Sequence, residues 1–170
     1  IAPNSVVNCL GVGDRFSVTD NRRNWREDGQ LELLYVSVFY PHKDPITLAE
    51  ATRLLNDQGL KTKSRITMEP HDFEPWPSSH GELQALQSER YADCVKIGRI
   101  EHYKLTDALK LYDAFVFPSM AETFGFPMVE AMRSGIPLIV SDIPIHREIC
   151  GDSALYFELS NPGDLAERLN

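Results

Sequence analysis

A short segment around Gly125 contains residue types that bind a phosphate group or a sugar. Glycine lets the backbone approach a ligand closely, and Pro127 is suited to the first position of a helix. The first amides of a helix have no partner within the helix, and the helix dipole favours an anion beside them. We therefore expect the amides near Phe126 and Met128 to face an anion such as a phosphate.

Two glutamates flank this segment, Glu122 before it and Glu130 after it, with seven residues between them. Glu130 falls inside the predicted helix among apolar residues, where a carboxylate needs hydrogen-bond donors, and sugar or ribose hydroxyls would serve. The alternative is a helix glutamate that reaches solvent or caps a neighbouring loop, and the residues alone favour neither interpretation. For Glu122 taken alone, they favour a solvated loop carboxylate.

These residues belong to a chain in which predicted strands and helices alternate. The predicted strands are residues 31–38, 60–68, 95–97, 114–117, 137–140 and 154–157. The predicted helices run from Pro45 towards Gly59, over 81–91, 105–111, 127–134 and 144–149, and from Pro162 onward, while 69–79 is a proline-rich loop. Repeated strand-helix units predict an α/β fold, a Rossmann-like three-layer domain with a parallel sheet and right-handed crossovers.

In such sheets, ligands bind beyond the carboxyl ends of the strands. This rule selects three loops, residues 37–44, 98–102 and 118–127, as the place for a site. A signalling receiver domain, another doubly wound fold, would need an acidic cluster at the strand ends, and the strand ending at Phe117-Pro118 provides none.

The stretch from Phe115 to Ile149 closely resembles the C-terminal, donor-binding domain of the retaining GT-B-fold glycosyltransferases that use an E-x7-E motif, known as glycosyltransferase family 4 or glycosyl transferases group 1. The shared motifs include Phe117-Pro118-Ser119, Glu122 to Glu130, Glu130-Ala131-Met132, Ser134-Gly135-Ile136-Pro137 and Ser141-Asp142. Weaker matches at Gly98-Arg99-Ile100, Leu111-Tyr112-Asp113-Ala114 and Ile1 to Asn4 extend the resemblance over nearly the whole chain.

The resemblance implies a role for each residue of the motif. Glu122 is expected to contact the hydroxyls of the donor sugar, and Glu130 to bind the ribose of the nucleotide. The loop and helix start between them are expected to hold the sugar and the diphosphate, through Gly125, Phe126, Pro127 and Met128. The loop that carries Arg99 and Ile100 is expected to contact the nucleobase.

The family also places an arginine and a lysine in an R-x4-K pattern after the first strand, where they meet the phosphate charge. Lys43 matches the lysine, whereas Val38 stands at the arginine position. Outside this motif, Lys43 would be read as a solvent-facing lysine. The missing arginine removes one of two cations that stabilise the leaving diphosphate. Either His42 or Arg99 compensates, or activity is weak or absent.

The resemblance implies that residues 1–30 are an interdomain connector and residues 31–170 the nucleotide-sugar donor-binding domain, with the N-terminal acceptor domain absent from this chain. We expect it to serve a glycosyltransferase that moves a hexose-type sugar from a nucleoside diphosphate sugar to a glycan, lipid or small-molecule acceptor. We expect no metal or other cofactor, and no transfer by the isolated domain. The alternative is a degenerate, non-catalytic module for binding or assembly, which Val38 favours.

Composition sets limits on partners and location. The 170-residue chain has 42% hydrophobic residues and a formal charge of −8, typical of a globular domain that does not bind nucleic acid. Three widely spaced cysteines suggest neither a zinc site nor disulfides, so we expect a reducing cytoplasmic location. No apolar run is long enough to span a membrane, so any peripheral attachment would come from the missing domain.

Overall fold

Six parallel strands form the middle layer of the fold. A computed structural model describes residues 24–170. The strands are β1 (Leu31–Tyr35), β2 (Thr62–Ile66), β3 (Val95–Ile97), β4 (Ala114–Phe117), β5 (Leu138–Ser141) and β6 (Leu155–Phe157). Their order is β3-β2-β1-β4-β5-β6, so the chain starts in the middle of the sheet, builds one half and then crosses to the other. The strand order therefore reverses between β1 and β4, the position at which such sheets bind ligands.

Within the same described residues, six α-helices connect and cover the strands. They are α1 (Pro45–Asp57), α2 (His80–Leu86), α3 (Leu105–Ala108), α4 (Phe126–Ser134), α5 (Pro144–Cys150) and α6 (Pro162–Leu169). The start of α1 follows the sequence prediction, because Asp44 accepts a hydrogen bond from the Thr47 amide at 3.2 Å and Pro45 occupies the first helical position. The predicted three-layer α/β fold with a parallel sheet is confirmed.

The two strands at the reversal point form the centre of the core. Leu33 of β1 lies opposite Ala114 of β4, and Leu34 lies opposite Phe115. All four side chains are buried, as expected for central strands that helices cover on both faces. The ends of β1 and β4 are thus fixed by close packing, which gives the loops that follow them a rigid base.

The first strand ends earlier than its apolar run predicts. The run continues to Val38, but the main-chain ladder stops at Tyr35. Beyond it, the Ser37 amide donates to the hydroxyl oxygen of Thr67 at 3.0 Å instead of to a backbone carbonyl. A side chain has replaced the ladder partner, so residues 36–40 leave the sheet at its carboxyl edge.

Two predicted helices are shorter in the structure, and one predicted loop is more ordered. After Ala108, the Leu111 amide donates to the Ala108 carbonyl at 2.9 Å, so the chain tightens into turns and the predicted helix over 105–111 ends early. The predicted helix over 81–91 corresponds to α2 and ends at Leu86. Within 69–79, proline begins two 3-10 turns, Pro70–Phe73 and Pro77–Ser79.

The predicted connector, residues 1–30, lies mostly outside the described residues. Within the described part, Glu27–Gly29 form a 3-10 turn, and the Arg26 amide donates to the Asp113 carboxylate at 2.9 Å. The division of the chain at residue 30 therefore stays a prediction. Between residues 24 and 170, no helix has the length and apolar character needed to cross a membrane.

Candidate functional site

A cavity of about 690 Å³ lies at the carboxyl edge of the sheet, lined by residues that follow β1, β2, β3 and β4. Its position at the reversal point agrees with the rule for ligand sites in open α/β sheets. Five of the predicted site residues line it, and they come from three separate loops and the first turn of α4. They are Lys43, Arg99, Ile100, Glu122 and Pro127.

Lys43 and Glu122 form an ion pair that joins the loops after β1 and β4. The Lys43 ammonium nitrogen Nζ lies 2.5 Å from Oε1 of Glu122, and the side chains are only 12% and 8% exposed. The same nitrogen lies 5.5 Å from the centre of the Phe117 ring, at the end of β4. The structure thus places neither residue in open solvent. It brings together two charges that are 79 positions apart in sequence.

Gly125 is the residue immediately before α4, and its backbone has a conformation that other residues rarely adopt. Its φ is +79° and its ψ is +57°, which is the left-handed region. A Cβ atom here would lie 3.2 Å from Cε1 of Phe117 and 3.4 Å from Cε of Met128. The turn therefore needs glycine both for its backbone angles and for its close approach to Phe117.

The sequence predicts that the Met128 amide faces an anion, but in the structure this amide is already hydrogen-bonded within the chain. The Met128 amide donates to the Gly125 carbonyl at 3.0 Å, and its side chain is fully buried. The left-handed Gly125 turns its own carbonyl back over the first turn of the helix, which satisfies this donor. Because proline carries no amide hydrogen, Pro127 can contribute only its ring and carbonyl. Phe126 is 46% exposed at the helix start.

Glu130 lies on α4 and is half-buried. It does not line the cavity, although Pro127 does. Residues three apart on a helix are neighbours on one face, so Glu130 follows directly behind a residue of the cavity wall. Glu130 thus lies one helical turn after a residue of the cavity wall, whereas Glu122 is part of that wall.

Val38 occupies the position at which the resemblance to the family places an arginine. Val38 lines the cavity and is 57% exposed. His42 also lines it, but burial and the neighbouring Lys43 lower the pKa of this imidazole below its ordinary value. His42 is therefore mainly neutral at pH 7 and adds little positive charge. Of the two residues predicted to compensate, Arg99 is the permanent cation.

The loop that carries Arg99 is hydrogen-bonded to Arg65 of β2. The Arg65 guanidinium donates to the Arg99 carbonyl at 3.1 Å. At Gly98 the φ is +132°, and a Cβ atom would lie 3.4 Å from the same guanidinium. The backbone of this loop is held in place, and the exposed Arg99 side chain stays at the cavity wall.

The sequence did not predict a chain of buried polar groups at the carboxyl ends of β1, β4 and β5. Tyr35, Ser119 and Ser141 stand at or just after the ends of β1, β4 and β5 and are buried together with His146. The Tyr35 hydroxyl donates to the Lys43 carbonyl at 2.8 Å, and the Ser141 hydroxyl donates to the Ser119 carbonyl at 2.5 Å. The available signal was the position of these polar residues at strand ends, where apolar runs stop.

Potential metal ligands are not clustered in the described part of the chain. Within residues 24–170, no three His, Cys, Asp or Glu side chains are placed to hold a metal ion. Two further carboxylates in the cavity wall, Glu69 and Asp72, are tied into a capping box around the 3-10 turn that follows β2. Among its ionisable side chains, the cavity wall includes one ammonium, one guanidinium, three carboxylates and two imidazoles.

Comparison with known proteins identifies the family. Residues 17–170 match the family described as Glycosyl transferases group 1. The chain belongs to this family. The resemblance noted from Glu122, Glu130 and the motifs around them is thereby confirmed, and the fold is that of a GT-B glycosyltransferase domain.

The curated relatives are named as O-antigen mannosyltransferases. The chain is similar to O-antigen chain mannosyltransferase B of Escherichia coli, with 25% identity over 163 residues, which are 96% of this chain and 39% of the relative. It is also similar to O-antigen chain mannosyltransferase RfbU of Salmonella typhimurium, with 51% identity over 51 residues, which are 30% of this chain and 14% of the relative. The chain therefore matches less than half of each relative's length.

Solved structures share the fold. The C-terminal domain of a glycosyl transferase group 1 family protein (LpcC) from Francisella tularensis has a TM-score of 0.68 and 19% identity, covering 94% of this chain and 86% of that domain. Sucrose-phosphate synthase from Thermosynechococcus elongatus has a TM-score of 0.70 and 23% identity, covering 90% of this chain and 39% of the synthase.

Gly125→Ala tests the construction of the turn that begins α4. We expect it to lower the free energy of unfolding by about 2 to 3 kcal/mol, measured by urea denaturation, because it adds a left-handed alanine and a close contact with Phe117. Gly59→Ala is the matched control: its φ is +87° and no atom lies within 4 Å of the added Cβ, so it carries only the backbone cost. Equal losses in the two variants would contradict the account of this turn.

Proposed function

We propose that this chain is the donor-binding domain of a retaining glycosyltransferase that takes a hexose-type sugar from a nucleoside diphosphate sugar. The observation that carries the proposal is the Lys43–Glu122 pair in the wall of the cavity at the sheet's reversal point. An ammonium beside a carboxylate suits a ligand that has both phosphate oxygens and sugar hydroxyls. Family membership supports sugar transfer as the reaction class.

The proposed division of labour follows from the chemistry of each group. Lys43 binds the diphosphate and stabilises the charge that develops on it as the bond to the sugar breaks. Glu122 accepts hydrogen bonds from sugar hydroxyls, and Glu130 accepts them from the ribose. The start of α4 at Gly125 and Phe126 adds the positive end of its dipole beside the phosphates.

In this mechanism, the acceptor attacks the sugar on the face from which the diphosphate leaves. Stabilisation of the leaving group comes from Lys43 and the helix start, so we propose that transfer needs no metal ion. We propose that a second domain holds the acceptor, because catalysis requires both reactants to be oriented together. A solved structure of the same fold, Anabaena HepE in complex with UDP and glucose, supports a nucleotide at this site; it has a TM-score of 0.65 and 20% identity to this chain.

A non-catalytic module was the alternative suggested by Val38. What speaks against it is that Lys43 and Glu122 are both present and in contact. A largely buried ion pair adds little net stability over well-packed apolar residues, so stability of the fold alone does not account for it. We therefore propose an active donor site with one fewer cation than is usual.

Nucleotide binding tests the proposal directly. Calorimetric titration of the chain with UDP, GDP and ADP in EDTA is expected to show binding, with one base preferred. Lys43→Ala should weaken that binding by about tenfold or more, because it removes a charge-assisted contact and leaves Glu122 beside the phosphates. Lys96→Ala is the matched control, since this lysine is exposed on β3. Absence of binding by all three nucleotides would contradict the donor site.

The two glutamates should respond differently to substitution. Glu122→Gln removes the negative charge next to Lys43, so affinity for the free nucleoside diphosphate should hold or rise while affinity for the nucleotide sugar falls. Glu130→Gln should weaken both ligands by about three- to tenfold, because both contain the ribose. Calorimetric titration of each variant with the nucleoside diphosphate and with the nucleotide sugar measures these affinities. Equal losses of diphosphate affinity in the two variants would reject the assignment.

Val38→Arg should strengthen the site. The position is exposed and lies in the cavity wall, so an arginine there can reach the ligand without displacing the core. We expect affinity for the nucleoside diphosphate to rise about three- to tenfold at low salt and by less at high salt, where screening is stronger. Val38→Gln supplies a polar side chain without the charge and should produce no such gain. If arginine and glutamine behave alike, Val38 does not occupy a phosphate-binding position.

A further inference from the structure

The backbone of Lys43 is held from two directions. Its amide donates to the Tyr40 carbonyl at 2.9 Å within the 3-10 turn Pro41–Lys43. Its carbonyl accepts the hydrogen bond from the Tyr35 hydroxyl at 2.8 Å. The first bond is local to the turn, whereas the second ties the turn to the end of β1. The Tyr35 bond therefore connects the position of Lys43 to the sheet.

Tyr35 is well placed to act as a fixed support. It is the last residue of β1, it is fully buried, and its ring meets the Phe117 ring edge-on at 5.7 Å. The Lys43 ammonium lies 5.5 Å from the centre of that same Phe117 ring. Phe117 thus contacts both Tyr35 and the Lys43 ammonium. The distance between these two groups is therefore set by packing at the ends of two core strands, β1 and β4.

The Tyr35 hydroxyl also lies next to the loop that carries Glu122. Its oxygen is 3.4 Å from Oγ of Ser119, and the Met120 amide donates to the His42 carbonyl at 2.7 Å. The two loops that supply Lys43 and Glu122 are therefore joined below the ion pair as well as by it. Burial raises the pKa of Tyr35 well above its ordinary value, so the hydroxyl stays a donor throughout the physiological pH range.

We propose that Tyr35 is a positioning residue for the donor site: its buried hydroxyl fixes the backbone of Lys43 so that the ammonium lies beside Glu122, where the diphosphate of the donor would bind. This inference rests on the proposed function. Tyr35 does not itself touch the ligand, and its effect passes through the Lys43 side chain.

A double-mutant cycle tests this inference. Tyr35→Phe keeps the ring against Phe117 and removes only the hydroxyl. With whichever of UDP, GDP and ADP binds the chain most tightly, we expect a three- to tenfold loss of affinity, about the size of one lost hydrogen bond. In the Lys43→Ala background, Tyr35→Phe should produce no further loss, because the side chain that it positions is gone.

Two control variants separate positioning from general destabilisation. Tyr91→Phe removes a hydroxyl that donates to Glu50 at 3.0 Å and should leave nucleotide affinity unchanged. Ser119→Ala removes the weaker neighbour of the Tyr35 hydroxyl but keeps the bond to Lys43, so its effect should stay within about twofold. Thermal unfolding of each variant establishes that it is folded.

Three results would overturn the inference. One is unchanged affinity in Tyr35→Phe. Another is the same loss with and without Lys43, which would indicate a general structural effect. A third is a loss in Ser119→Ala as large as that in Tyr35→Phe. If the unsubstituted chain binds none of the nucleotides, the proposed function itself fails, and that outcome is distinct from the other three.

Discussion

The ion pair between Lys43 and Glu122 is the contact on which the candidate site depends. Both charges are largely withdrawn from water, so each must be balanced by the other or by a ligand. Loss of one partner would leave a charge that is largely buried and uncompensated. The pair therefore holds the loops after β1 and β4 at a fixed separation, and it keeps a cation ready beside the cavity in an otherwise acidic chain.

The sheet topology makes this contact possible. Because β1 and β4 are neighbours, residues 43 and 122 come together although each belongs to a different half of the fold. Phe117 completes the arrangement: it ends β4, contacts Tyr35 and Lys43, and would lie only 3.2 Å from a Cβ atom at Gly125. The buried Phe117 ring thus helps to position the Lys43 ammonium, the Tyr35 side chain and the start of α4.

Much of the fold and part of the candidate site could be predicted from the sequence. The prediction succeeded where a local residue pattern or an extended family motif marks the feature. Apolar runs located most of the strands, β2 being a polar exception, and Asp44-Pro45 indicated the start of α1. The end of β1 could not be predicted, because it depends on Thr67 replacing a backbone partner. The bonded Met128 amide also escaped prediction, since it follows from the backbone angles of Gly125. The hydrogen bond from the Tyr35 hydroxyl to the Lys43 carbonyl also escaped prediction, because it depends on the path of the loop after β1 and no local pattern marks it.

The most direct test of the account is a crystal structure of the chain with its preferred nucleoside diphosphate bound. The account predicts the nucleotide in the cavity between the loops after β1 and β4, with a phosphate oxygen about 3 Å from the Lys43 ammonium and the ribose towards α4 and Glu130. A nucleotide bound elsewhere, or one in this cavity whose phosphates avoid Lys43, would contradict it.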